Sequence, residues 1–237
     1  MKQNSDAWEF SIRRDISEEV IRYKEKLSNG KFNRVLPYIR AGIPEEYWDI
    51  DLDMFDGDPH AMRMIEKYCL NINIAKKKGV GFLLTGPNGV GKTTLMMSTL
   101  KEAISKGHSA FYMTLADVFQ TLYLGFDCKP LLIELRNYLR KTDFVAIGDL
   151  GKDYHRKDSG GFVRAEFDVI FRYRRSRHLP TLMDTNFNRS ELENTYGESL
   201  MSLFASKTKI IKVEGIDYRK AQAKEKNKIF NEVLKNE

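Results

Sequence analysis

Gly86-Pro87-Asn88-Gly89-Val90-Gly91-Lys92-Thr93 reads G-x-x-x-x-G-K-[ST], the spacing of a phosphate-binding loop, and it decides the fold. The flanking sequence is what that loop requires. Val80-Gly81-Phe82-Leu83-Leu84-Thr85 is a short apolar run that predicts a buried strand. From Lys92 to Lys106, apolar positions at Leu95, Met96, Leu100, Ala103 and Ile104 predict a helix. Glycines let the backbone wrap a phosphate closely, and the loop N–H groups then face it at a helix N-terminus. The expected ligand is a nucleoside triphosphate with Mg²⁺, held by residues 86–93 and Thr94. Lys92 is expected to reach the β- and γ-phosphates, and the Thr93 hydroxyl to meet the metal.

Composition sets the bounds around this loop. A chain of 237 residues, 42% hydrophobic, suits one α/β domain with a short extension. No apolar run approaches the roughly 18 residues of a membrane span, and the polar first 19 residues carry no secretory core, so a cytoplasmic protein is expected. Cys69 and Cys128 lack metal-ligand spacing, which argues against a zinc site or a disulfide framework. They read as a core thiol and a loop thiol. The net charge of +6 is a mild bias toward polyanionic partners.

The rest of the chain alternates between strand and helix periods. A helix is expected from Ser17, as N-cap, to Leu27, ended by Asn29-Gly30. A Pro- and Asp-rich connector leads to a helix over 59–77. Beyond the loop helix, strands are expected at 109–114, 143–147, 179–184 and 209–213, with helices at 115–124, 130–140, 162–177 and, as two short pieces, 189–206. This alternation predicts a five-stranded parallel sheet with helices on both faces. Residues 1–58 read as an extension and connector, 59–219 as the core, and 220–237 as a charged tail.

A triphosphatase also needs a carboxylate on a neighbouring strand. The apolar run Phe144–Ile147, followed by Gly148-Asp149, places Asp149 where ligands sit in open α/β sheets, beyond the strand's C-terminal end. Asn186, after the strand 181–184, is placed to sense the terminal phosphate. Alone it would read as a turn residue, and the order of the strands turns the reading.

From Ala41 to Arg219 the chain resembles the DnaC/IstB-like AAA+ ATPases, whose best-known members load replicative helicases. The landmarks come in order: Ala41-Gly42-Ile43-Pro44 with Tyr47-Trp48, the phosphate loop, Asp149-Leu150-Gly151-Lys152, Asp184-Thr185-Asn186, Tyr196-Gly197-Glu198, and Val213-Glu214-Gly215 to Tyr218-Arg219. The resemblance implies a P-loop NTPase of the AAA+/ASCE type without a separate lid. It also implies homo-oligomers with ATP between subunits, and single-stranded DNA contact by residues 115–129. Tyr123, Phe126 and Lys129 are the candidates there, stacking on bases or meeting phosphates. Phe119 in the same segment reads as core.

Two departures from the family pattern stand out. Gly148 occupies the place of the first of the two acids, leaving Asp149 alone, which predicts slow hydrolysis serving as a switch. Where the family carries an arginine finger, this chain has Ser202-Leu203. Lys207, Arg219 or the Arg172–Arg177 run would then supply a trans-acting cation, although that run reads first as a solvated face. Three functions are consistent with these residues. One is a loader delivering a replicative helicase, with the first 40 residues as docking element. Another is an IstB-like helper that assembles with ATP on duplex DNA and recruits a transposase. The most distant is a small-molecule kinase whose lid is the 151–161 loop, with Lys152, His155, Arg156 and Lys157.

Overall fold

Five short apolar runs do form the sheet: β1 (Gly81–Thr85), β2 (Ala110–Thr114), β3 (Phe144–Leu150), β4 (Thr181–Thr185) and β5 (Thr208–Lys212). The computed structural model describes residues 12–125, 127–151, 160–218 and 230. The strand order is β2-β3-β4-β1-β5, and every neighbouring pair is parallel. Because side chains alternate along a strand, Phe82, Leu84, Phe144, Ala146 and Leu182 pack on one face, and Leu83, Val145, Ile147 and Met183 on the other. Both faces are therefore buried, as parallel sheets require.

The first face is covered by α3 (Pro59–Leu70) and α5 (Lys92–Ser105), the helix that follows the phosphate loop. The second is covered by α6 (Leu115–Leu124), α7 (Lys129–Lys141), α8 (Gly160–Ser176), α9 (Arg189–Tyr196) and α10 (Glu198–Lys207). Local chemistry fixes several helix starts. Thr114 and Asp117 form a capping box at α6, and Asn188 and Glu191 form another at α9. Asp58 caps α3, with Pro59 in its first turn.

The N-terminal region differs from expectation. The first helix, α1 (Ile12–Lys26), begins before Ser17, and Asn29-Gly30 opens a second helix, α2 (Asn29–Arg40), rather than ending the first. The reason is tertiary: Phe32, Val35 and Ile39 fall on one side of α2 and are buried in the same core as α5. The expected helix over 59–77 is broken at Asn71 into α3 and α4 (Ile72–Lys78), and Asn71 Nδ2 donates to Lys67 O at 2.8 Å. Trp48 is 3% exposed, stacks edge-on against Tyr23 with ring centroids 4.6 Å apart, and donates to Ile43 O. Burying an aromatic is worth about 1.5–3 kcal/mol. The ion pair that joins the same two pieces, Lys26–Glu45, is exposed and screened by solvent, so the indole, not the ion pair, fastens α1 and the 41–48 segment together. Cys69 is a core thiol, pushed up to about 11 by burial, and Cys128 sits in the loop before α7. Among the described residues no helix is long and apolar enough to cross a membrane.

Candidate nucleotide site at the strand ends

The chain leaves β1 toward β2 on one side of the sheet and leaves β4 toward β5 on the other, so a crevice opens where β1 and β4 lie side by side. The phosphate loop lies at this switch point. Gly89 (φ +75°) and Gly91 (φ +87°) adopt left-handed conformations within it. A Cβ on Gly91 would stand 2.5 Å from the Phe55 ring, and one on Gly89 would stand 1.8 Å from Asp217 Oδ1. Larger residues are therefore barred twice, by conformation and by space. Among the described residues no side chain caps the N-terminus of α5, which leaves its first N–H groups for an anion. The segments that close around the loop are tied to it. Tyr218 N donates to Gly89 O, Tyr218 Oη to Asp56 O, and Glu214 N to Asp58 Oδ2.

Lys92, Thr93, Asp149 and Asn186 converge here, drawn from α5, β3 and the end of β4. The Lys92 ammonium is 7% exposed and donates to Gly86 O at 2.8 Å, Pro87 O at 2.5 Å and Asn186 Oδ1 at 2.7 Å. Val90 is buried, whereas Pro87 and Asn88 face solvent and Thr94 lies half-buried in the first turn of α5. Asp149 is not the only strand carboxylate at this end of the sheet, contrary to the sequence reading. Asp184, 2% exposed at the end of β4, accepts from Thr93 Oγ1 at 2.8 Å and from Asp149 N at 2.6 Å. Asp149 itself has φ +59°, at an irregularity where the β3–β4 register shifts between Ile147 and Leu150.

Burial pushes the Asp184 carboxyl above the usual range. The bonds from Asp149 N and Thr93 oppose this, the Asp149 charge adds to it, and Lys92 works against it. Burial, and then the charges of Asp184 and Asp149, push Tyr112 upward as well. Two acidic groups beside one buried ammonium form a site that accommodates a cation together with phosphates. Among the described residues no three His, Cys, Asp or Glu side chains cluster into a metal cage. The donor set fits Mg²⁺ held mainly by nucleotide phosphates, the Thr93 oxygen and waters.

Other sequence candidates lie elsewhere. Tyr123 is 61% exposed on α6, and Lys129 is exposed at the start of α7. Phe119 packs against the core ring of Phe167 at 6.2 Å, as its sequence reading required. Lys207 Nζ donates to Lys78 O at 3.2 Å, beside the starting ends of β1 and β5 and so at the opposite end of these strands from the phosphate loop. Phe126, Lys152, His155, Arg156, Lys157, Arg219 and the 220–229 stretch fall outside the described residues.

The arginine run is not a uniformly solvated face, contrary to its sequence reading. Arg174 is 1% exposed, not solvated, and donates to Thr181 Oγ1 and to the carbonyls of Leu139, Thr142, Asp143 and Pro180. Arg172 pairs with Asp168 one helical turn away, and Arg177 lies over the Tyr173 ring. Sequence reasoning missed Asp184 and Arg174 for the same reason. Arg174 belongs to a run of arginines and Asp184 stands beside the polar Thr185 and Asn186, so only helix or strand phase reveals which way each turns. In β4 the signal was present: Asp184 follows Leu182 by two residues, and so shares its face of the sheet.

Comparison with known proteins agrees with this architecture. Residues 72–226 match the family described as IstB-like ATP binding protein, and the chain belongs to that family. It is 29% identical over 129 residues to an insertion-sequence (IS5376) ATP-binding protein of Geobacillus stearothermophilus, covering 54% of this chain and 48% of that protein. It is 27% identical over 120 residues to the replicative helicase loader DnaI of Bacillus subtilis (50% and 37% covered). With the replicative helicase loader DnaC of Escherichia coli it shares 28% over 121 residues (51% and 48%). The matched stretches thus span less than half of each of these three relatives. The DnaC helicase loader structure superposes with a TM-score of 0.63 at 22% identity, over 72% of this chain and 100% of that one. A structure of DnaA bound to AMPPCP and single-stranded DNA gives 0.59 at 21%, over 79% and 56%. The fold is that of these solved structures, and the family is one of ATP-binding proteins.

Proposed function

We propose that the chain is an ATP-dependent helicase loader that binds single-stranded DNA, delivers a replicative helicase, and uses slow ATP hydrolysis as a switch. The observation that carries the switch is the Lys92 Nζ–Asn186 Oδ1 bond of 2.7 Å. A γ-phosphate competing for Lys92 releases Asn186, and the carboxamide reports that release along the 186–188 turn to α9. Lys92 and Asn186 then bind and sense the terminal phosphate, Thr93 is the residue that would hold Mg²⁺, which would neutralise charge on the phosphates, and Asp149 orients the attacking water. With glycine at position 148, β3 supplies one acid instead of two, which favours a slow step.

Loaders and insertion-sequence proteins stand at nearly equal identity among the relatives. The 41–48 lead-in, anchored by buried Ala41, Ile43 and Trp48, favours the loader, whereas the family description and the insertion-sequence relative favour an IstB-like helper on duplex DNA. The protein is taken to act in the cytoplasm as a homo-oligomer, with Lys207 or Arg219 as the cation offered to a neighbouring subunit.

Fluorescence anisotropy with labelled single- and double-stranded oligonucleotides, in ATP and in ADP, separates the two readings. The loader predicts ATP-dependent binding at least tenfold tighter to the single strand. It also predicts a loss in Tyr123→Ala of about 1–3 kcal/mol, the value of one stacked base. ATP-dependent filaments on duplex DNA, with no preference for the single strand, would move the chain to the helper class.

A further inference from the structure

The carboxylate absent from Gly148 has a structural counterpart one strand away. Gly148 follows Ala146 by two residues on β3, and Asp184 follows Leu182 by two on β4; Ala146 and Leu182 pack in the same core, so both positions look toward α5. Where a side chain on Gly148 would begin, the space is already taken, because a Cβ there would lie 2.8 Å from the Tyr112 hydroxyl. The adjacent Asp184 carboxylate reaches the residue that an acid from β3 would serve, since its Oδ2 accepts the Thr93 hydroxyl proton at 2.8 Å. Its other oxygen holds the backbone N–H of Asp149 at 2.6 Å.

We propose that Asp184 supplies, from β4, the carboxylate toward a nucleotide-bound divalent cation that β3 lacks at Gly148, while Tyr112 fills the vacated volume. The chemistry is that of an outer-shell partner. By accepting the Thr93 proton, Asp184 turns the lone pairs of that oxygen toward the cation, and a ligating hydroxyl whose proton is anchored is the better donor. The second bond fixes the bulged backbone of Asp149, so one carboxylate couples the cation side of the site to the water side. Asp184 is thus a positioning residue, acting through Thr93 and Asp149. Exchanging the family's paired acids for one acid on each of two strands keeps the negative charge near the cation and changes the strand that carries it. The inference rests on the reading of this loop as an ATP–Mg²⁺ site and on nothing about DNA or protein partners.

The test is the gain in affinity that Mg²⁺ confers on a fluorescent ATP analogue, titrated with the full chain in excess Mg²⁺ and in EDTA. Asp184→Asn is expected to cut that gain about tenfold, the low end for losing an outer-shell partner, while affinity in EDTA moves less than twofold. In a Thr93→Val background, which removes the hydroxyl, the same substitution should cost less than twofold, an outcome a merely structural role would not produce. Adding Gly148→Asp and Tyr112→Val to Asp184→Asn should restore most of the gain, by returning the acid to β3 and opening room for it. An unchanged Mg²⁺ gain in a folded Asp184→Asn protein overturns the proposal, as does an equal loss with and without the Thr93 hydroxyl. A wild-type chain that binds no nucleotide refutes the ATP-site reading itself, and the proposal falls with it.

Discussion

Replacing Arg174 with methionine tests whether this arginine is a structural clamp or a cation available to a neighbouring subunit. The guanidinium gathers the end of α7, the start of β3 and the start of β4 through five hydrogen bonds. Methionine keeps much of the volume and removes all five. Pro180 O retains the Val145 N–H as a donor at 3.3 Å, so the loss falls chiefly on the carbonyls of Leu139, Thr142 and Asp143. A buried acceptor left unsatisfied costs about 1–3 kcal/mol, which over these carbonyls gives ~3–6 kcal/mol after modest relaxation. Burial opposes the charge and pushes the arginine pKa down to about 9, so removing the ion returns part of that cost. A net loss of about 3 kcal/mol is expected. At about 2–4 °C per kcal/mol for a chain of this size, the melting temperature should fall by roughly 6–12 °C. Circular dichroism melts of Arg174→Met beside Arg172→Met, whose arginine is exposed and pairs with Asp168 on its own helix, provide the comparison. The Arg172 variant should stay within about 2 °C of wild type, because surface ion pairs contribute little. If the two variants melt together, the clamp argument is wrong, and Arg174 returns to the list of trans-acting candidates.

Three further outcomes follow from the site. Lys92→Ala removes the ammonium that would meet the phosphates, and should weaken ATP binding about 100-fold by isothermal titration, the sum of two charge-assisted bonds at about 1.5 kcal/mol each. Asn186→Ala should keep ATP affinity within about tenfold of wild type and bring the ATP and ADP dissociation constants together; a preserved ratio would remove Asn186 from the sensing role. Asp58→Ala should cost about 1 kcal/mol as a lost cap and free Glu214 N beside the phosphate loop. Its pH dependence has a definite sign. Burial alone would raise the Asp58 pKa, but bonds from Glu214, Ala61 and His60 N–H groups together hold it below the ordinary value. Its contribution is therefore fully present above the unfolded value of about 3.9 and is lost as pH falls through the lower folded value. The melting difference between wild type and Asp58→Ala should stay constant from about pH 5 to 8 and shrink below about pH 4.

Much of this molecule was legible wherever local signals and tertiary structure agree. The helix Leu115–Leu124 was read to the residue, since Thr114 and Asp117 box its start and Gly125 follows its end. The phosphate loop and the five strands were readable because glycine spacing and apolar runs are local properties. What escaped depends on contacts across the chain. Asn29-Gly30 carries the composition of a stop, yet Phe32, Val35 and Ile39 gain enough burial against the core to start a helix there. Asp184 resembles a strand-capping acid until β4 is set beside β1, when it meets Thr93, 91 positions away in sequence. The ring of Tyr112 over Gly148 has no signature in sequence at all, because it rests on the pairing of β2 with β3.

Nucleotide at the Lys92 site is proposed to govern attachment to a replication partner. The most direct measurement is capture of host proteins on the immobilised full chain, in ATP and in ADP, with the Lys92→Ala chain alongside and retained proteins identified by mass spectrometry. The account predicts a hexameric replicative helicase retained in ATP, and lost both in ADP and on Lys92→Ala. Retention of a transposase without helicase, or of the same helicase regardless of nucleotide, would contradict it.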